Sequence, residues 1–206
     1  MLGFAALGDG DGASALAPEF GRPGLADAQL VALAHESRDE ALVVLYDAYK
    51  ARIYTFLLRI CGDPETSDDL TQDVFTKAYQ ALGSLTKEHR VLPWLYRIAH
   101  NTAIDHVRRR RRFAWLRMAK ITGTNDEPLM PDRHGAIPEQ DHIRSVLATL
   151  PPEQTAALLL HAREGYSYKE IAEIQGCTMP AVRSRIARAR VAFKAAYETK
   201  EPRHPS

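Results

Sequence analysis

Apolar residues return at helical spacing through most of the chain. Leu42, Leu45, Tyr46, Tyr49, Ile53, Phe56, Leu57 and Ile60 recur at steps of three and four, which puts them on one face of a long helix. Ser37-Arg38-Asp39-Glu40 has the form of a capping box, with Ser37 as N-cap and Glu40 at N3. Gly62 can stop that helix, and Asp63-Pro64 can start the next, the Asp as cap and the Pro in the first turn. This next helix, 65–82, carries Leu70, Val74, Ala78 and Leu82 on one side and crowds Asp68, Asp69, Gln72 and Asp73 into its early turns. After a loop, Pro93 opens a helix through Trp94, Leu95, Ile98, Ala99, Thr102 and Val107, which runs into five arginines at 108–112.

The pattern then breaks. Some of 113–121 can continue the helix, and the remainder to 138, with Gly123, Asn125, Asp126, Pro128, Pro131, Asp132, Gly135 and Pro138, has the composition of a linker. Periodicity resumes with Ile143, Val146, Leu147 and Leu150, is cut by Pro151-Pro152, and continues over 153–163. No segment reads as a strand hairpin. The expected fold is all-α, two small helical domains joined by a flexible linker. The expected boundaries are an N-terminal extension over 1–26, a first domain over 27–112, the linker over 113–138, a second domain over 139–197 and a tail over 198–206.

The second domain has a distinctive order. Ser167-Tyr168-Lys169-Glu170 is a second capping box, followed by Ile171, Ala172 and Ile174, a turn at Gly176-Cys177-Thr178, and a longer helix. Short helix, tight turn with Gly and long helix is the helix-turn-helix plan. In the last helix Val182, Ile186, Ala189 and Phe193 pack inward. Arg183, Arg185, Arg188, Arg190 and Lys194 take the remaining surface, and no acid lies between Thr178 and Tyr197. A helix apolar inside and basic outside suits the major groove, where a bidentate Arg on guanine discriminates by about 1–3 kcal/mol. The bland alternative is a solvated basic face.

Composition narrows the function classes. With 206 residues, 27 Lys+Arg against 26 Asp+Glu, 45% hydrophobic and 26% charged residues, the chain is an ordinary globular one. Cys61 and Cys177 stand far apart without a CxxC, so neither a zinc cluster nor a disulfide framework is expected, and both read as small packing residues. No apolar run reaches the roughly 18 residues of a membrane span, and residues 1–12 lack the form of a secretory signal, so a cytoplasmic location is expected. No phosphate-binding loop, HExxH or GxSxG occurs. His100, His106 and His161 stand isolated, and no catalytic residue, metal or cofactor is expected.

The first domain carries the sharper signal. Asp69-Leu70-Thr71-Gln72-Asp73-Val74-Phe75-Thr76-Lys77-Ala78-Tyr79 is followed by Pro93-Trp94-Leu95-Tyr96-Arg97-Ile98-Ala99-His100-Asn101-Thr102-Ala103-Ile104-Asp105. These stretches resemble conserved region 2 of bacterial RNA polymerase sigma factors. Leu150-Pro151, Tyr168 with Ile171-Ala172, and Val182-Arg183-Ser184-Arg185-Ile186 with Ala189-Arg190 resemble region 4. Two such domains and a linker, over roughly 27–197, resemble the extracytoplasmic-function (ECF) class.

The resemblance implies a non-enzymatic promoter-specificity subunit. It implies contact of Asp69, Gln72, Asp73, Phe75 and Tyr79 with the clamp helices of the largest catalytic polymerase subunit, and of the second domain with the flap of the second-largest subunit. Lys87, His89, Arg90, Arg97, Asn101, Arg108 and Arg109 would meet the −10 element, Asn101 lining the pocket of a flipped base. Lys169, Arg183, Ser184, Arg185, Ala187 and Arg188 would meet the −35 element. Promoter DNA and an anti-sigma factor are the other implied partners. Where many relatives have Phe followed by Arg-Gly, this chain has Leu85-Thr86-Lys87 and so lacks a stacking aromatic. The competing reading is a stand-alone helix-turn-helix regulator that binds duplex DNA without polymerase.

Overall fold

A computed structural model describes residues 25–86, 89–120, 143, 145–147 and 149–200. The expected N-terminal extension to residue 24, most of the linker with its acids Asp126, Glu127 and Asp132, Lys87 and the tail beyond 200 lie outside the described residues.

Helices α1 (Leu25–Glu36), α2 (Arg38–Cys61), α3 (Pro64–Ala81) and α4 (Val91–Lys120) make the first half, with a short 3₁₀ turn at Leu82–Ser84. Helices α5 (Pro152–Ala162), α6 (Tyr168–Gln175) and α7 (Met179–Lys200) make the second. No strand occurs among the described residues. The all-α expectation holds.

The helix ends follow their local chemistry. Ser37 caps α2 by accepting from the Glu40 amide at 3.4 Å. Gly62 ends α2 at φ 78°, its amide donating to the Leu58 carbonyl at 2.8 Å. A carboxylate oxygen of Asp63 accepts from the Thr66 amide at 2.7 Å, which caps α3 and holds the Asp63 carboxyl below its ordinary range. Such caps contribute about 1 kcal/mol each. Ser167 and Glu170 form the full capping box on α6.

One start differs from expectation. Helix α4 begins at Val91, two residues before Pro93. The Val91 amide donates to Asp27 Oδ1 at 3.2 Å, so a carboxylate from α1 satisfies an N-terminal donor that the sequence near Pro93 could not supply. Pro93 falls within the first turn, where it costs no hydrogen bond. As the sequence allows, the helix continues through the arginine run, to Lys120.

The core of the first half packs Leu45, Ile53, Leu57, Val74, Leu82, Leu85, Leu95 and Tyr96, all essentially inaccessible. Leu85 is 1% exposed, so the residue standing where relatives carry an aromatic turns into the core. Trp94 is half-buried against the same core. The second half buries Leu160, Ile171, Val182, Ile186 and Ala189. The two cores are continuous: α2 and α4 pack on α5, and α4 on α6.

Candidate functional site

On α3 the stripe Ser67, Leu70, Thr71, Val74, Phe75 and Ala78 is buried. Asp69, Gln72 and Asp73 stand on the opposite, exposed side. Phe75 departs from expectation. It is 4% exposed, its ring 4.9 Å from Tyr46 in an edge-on pair, and so it packs the fold instead of facing a partner. Its place four residues after Thr71 and three before Ala78 marks it as inward, a signal present in the sequence. Tyr79 is half-buried and its hydroxyl donates to Asp39 Oδ1 at 2.9 Å.

Helix α4 alternates between core and surface as a helix must. Tyr96, Ala99, His100 and Ala103 face inward, while Arg97, Asn101, Arg108 and Arg109 are exposed. Thr102, beside Asn101, accepts from Lys77 Nζ at 2.9 Å, which ties α4 to α3. The Asn101 amide is thus held on a rigid, anchored helix with its face open. His89 precedes α4 and its Nδ1 accepts from the Thr86 amide at 2.9 Å, folding the exposed loop back on itself. Arg109 Nε donates to the Asp105 carbonyl at 3.3 Å.

His100, isolated in the sequence, is a packing residue. It is 4% exposed, and burial, with the charge of Arg185 second, pushes its pKa down to about 4. A neutral imidazole of this kind is a core element. Cys61 is partly buried against the core, its thiol raised to about 11 chiefly by burial. Among the described residues no His, Cys, Asp and Glu are grouped to hold a metal ion.

In the second half, Gly176 makes the turn between α6 and α7 at φ 60° and ψ 41°. The Cys177 amide then donates to the Ala172 carbonyl at 3.0 Å. On α7, Val182, Ile186, Ala189 and Phe193 are buried, as their spacing predicts. Arg183, Ala187 and Arg188 are exposed, as is Lys169 on α6. Ser184 is half-buried and its hydroxyl accepts from Arg188 Nη2 at 2.7 Å, which orients the Arg188 fork.

Arg185 and Arg190 do not lie outward with them. Arg185 Nη1 donates to Gln175 Oε1 at 2.7 Å and approaches Cys177 Sγ at 3.2 Å, bracing α7 on the turn. Arg185 sits three residues after Val182, at the edge of the buried stripe, and its role is to hold the two helices together. Arg190 is half-buried with its Nε enclosed.

Two further arginines meet partners that sequence reasoning missed. Arg90 Nη1 is paired with Glu170 Oε1. Arg108 Nη2 lies 3.2 Å from Glu153 Oε1. Burial acts to raise the Glu170 carboxyl, but Arg90 and Ser167 outweigh it and hold the pKa below its ordinary value.

The described residues thus present three surfaces: an acidic-polar edge on α3, an amide-and-arginine face on α4, and an arginine face on α7. Residues 45–113 match the family described as sigma-70 region 2, and residues 140–193 that described as sigma-70, region 4. The chain is 32% identical over 186 residues to the RNA polymerase sigma-H factor of Pseudomonas aeruginosa, covering 84% of this chain and 94% of that protein. It is 32% identical over 178 residues to the ECF RNA polymerase sigma-E factor of Escherichia coli, covering 82% and 93%. Among solved structures it is similar to CnrH in complex with the cytosolic domain of CnrY, with TM-score 0.61, 28% identity, and 85% of this chain and 99% of that one covered. Its fold is also that of the sigma factor RpoE of Bartonella quintana in complex with the anti-sigma factor NepR, with TM-score 0.58, 22% identity, and 76% and 96% covered.

Proposed function

This chain belongs to the sigma-70 family, among the ECF RNA polymerase sigma factors, and from that premise we propose how its surfaces divide the work. It binds core RNA polymerase and promoter DNA and directs transcription initiation. The acidic edge of Asp69, Gln72 and Asp73 meets the clamp helices of the largest polymerase subunit. The second half docks on the flap and reads the −35 element through Arg183, Ala187 and Arg188, with Lys169 on phosphate. Asn101, Arg97, Arg109 and the loop at His89 meet the −10 element. Such a factor is an initiation factor and works where the polymerase works, inside the cell. An anti-sigma factor is the regulator this reading calls for.

Melting under this reading needs no chemical catalyst. A base that leaves the stack is captured, and the captured state holds the bubble open. The Asn101 amide can donate and accept at once, as a base edge requires. Flanking arginines neutralise the exposed strand.

The observation that carries the assignment of the second half is the division of α7. Its inner stripe is buried without gaps, so Arg183 and Arg188 are presented on a fixed frame. The test is transcription in vitro with core polymerase on genomic fragments. New start sites are expected only when both core and this chain are present. Arg183→Ala with Arg188→Ala should lower initiation at a −35-dependent promoter on the order of a hundredfold, at about 1–3 kcal/mol per arginine, with core affinity unchanged. Tight duplex binding by the chain alone, with no initiation, would favour the stand-alone regulator.

A further inference from the structure

Gln175 is the polar member of the buried stripe of α6, beside Ile171, Ala172 and Ile174. It is 8% exposed. Its Nε2 donates to the Glu153 carbonyl of α5 at 3.1 Å, and its Oε1 accepts from Arg185 Nη1 of α7 at 2.7 Å. One amide thus ties three helices. The two partners fix which way it points, because a carbonyl takes only a donor and a guanidinium only an acceptor. An apolar side chain of similar size would fill the same space with no polar atom to satisfy. Packing alone therefore gives no reason for an amide here, and its partners do.

The partner that matters is Arg185. It lies about 60° around α7 from Arg188, at 3.6 residues per turn. Arg188 is exposed, and its Nη2 donates to the Ser184 hydroxyl at 2.7 Å. Of these two neighbouring guanidinium groups, one is aimed outward and the other is tied down. An arginine on phosphate adds affinity without sequence information, and each such contact steepens the salt dependence of duplex binding by about 0.9. The other acceptor near Arg185, Cys177 Sγ at 3.2 Å, is a weak one.

On the reading of α7 as the −35 reader, we propose that Gln175 is a positioning residue for promoter discrimination. It fixes the angle at which α7 leaves the turn, and it withholds Arg185 from the phosphate backbone. The base contacts of Arg183 and Arg188 then weigh more against indiscriminate binding.

The test compares Gln175→Leu with Gln175→Glu in the full chain. Leu keeps the bulk and the helix propensity of the position and removes both polar atoms, so the melting midpoint should stay within about 4 °C. With core polymerase, initiation is measured on a −35-dependent promoter and on the same promoter with its −35 bases replaced. The ratio of the two should fall about tenfold in Gln175→Leu, the discrimination of roughly one bidentate arginine. The Leu chain alone should bind a random-sequence 30-base-pair duplex more tightly than wild type, with the salt slope steeper by about 1 as Arg185 reaches phosphate. Adding Arg185→Leu should return that slope to the wild-type value. Gln175→Glu sets a carboxylate oxygen against the Glu153 carbonyl and should melt lower, yet it keeps an acceptor for Arg185. It should hold the wild-type slope and most of the discrimination. The two variants thus rank oppositely in stability and in specificity, which a purely structural amide does not allow. Discrimination that follows the melting midpoint across the pair, or that is unchanged in Gln175→Leu, overturns the positioning role. A slope unchanged in Gln175→Leu overturns the withholding of Arg185. Failure of the wild-type chain to initiate with core polymerase would strike the transcription reading alone, since the slope on random duplex needs neither polymerase nor promoter.

Discussion

The two halves use arginine in opposite ways. In the second half, α7 presents Arg183 and Arg188 outward from a sealed apolar stripe and turns Arg185 in to brace the helix-turn-helix. In the first half, Arg52, Arg90 and Arg108 reach across to carboxylates of the other half. The second half thus carries its own structural cation, whereas the first half lends its cations to the seam. An arginine's role therefore depends on which acids the fold brings within reach, and a basic patch in sequence does not reveal it.

The sharpest challenge to this comparison acts on the seam through pH. His100 of α4 is faced by Arg185 from α7, Glu153 from α5, and Arg108 and Asp105 from its own helix. The folded chain keeps it neutral down to about pH 4, while its ordinary value is 6.5. Unfolding therefore takes up a proton between those limits. The contribution of His100 to stability is whole above pH 6.5 and is lost as pH falls toward 4. His106 is lowered too, chiefly by burial, and acts in the same direction. Relative to His100→Leu, the wild-type chain should lose about 2 kcal/mol between pH 7 and pH 5 in urea unfolding. Identical pH profiles would mean that the imidazole reaches solvent and that the seam above it is open in the free chain.

The next effect separates surface from core within α3. Gln72→Lys with Asp73→Lys should weaken binding to core polymerase about tenfold, or 1.4 kcal/mol. Both positions are exposed and Lys is a good helix former, so the melting profile should stay in place. Unaltered affinity in the folded double variant would move the polymerase contact off this edge.

Much of this was legible in the sequence wherever the cause is local. Caps at Ser37, Asp63 and Ser167 and stops at Gly62 and Gly176 each depend on residues within a turn of one another. Buried stripes depend on period alone, and that period also contained Phe75 and the edge position of Arg185. The start of α4 was misplaced because its donor is satisfied by Asp27, 64 residues away. The seam was invisible for the same reason. Arg90 and Glu170 are 80 residues apart, and nothing local says which of many arginines meets which acid. The family resemblance supplied roles for exposed positions that period and charge alone leave open.

The smallest effect concerns the turn that makes the second half self-sufficient. Gly176 sits at φ 60°, and a Cβ built there meets nothing within 4 Å. The cost of Gly176→Ala is therefore conformational and not steric, about 1 kcal/mol for an L-residue in the left-handed region. Gly176→Asn should recover part of that loss, since Asn tolerates this conformation. Chemical denaturation of the three chains checks the series. A loss of several kcal/mol, equal for Ala and Asn, would mean that the side chain collides with something. The turn would then be tighter than its geometry here, and α7 would owe its orientation to packing at the turn. With a small, graded loss, the backbone of one residue sets how α7 leaves α6, and Arg185 on Gln175 holds that angle.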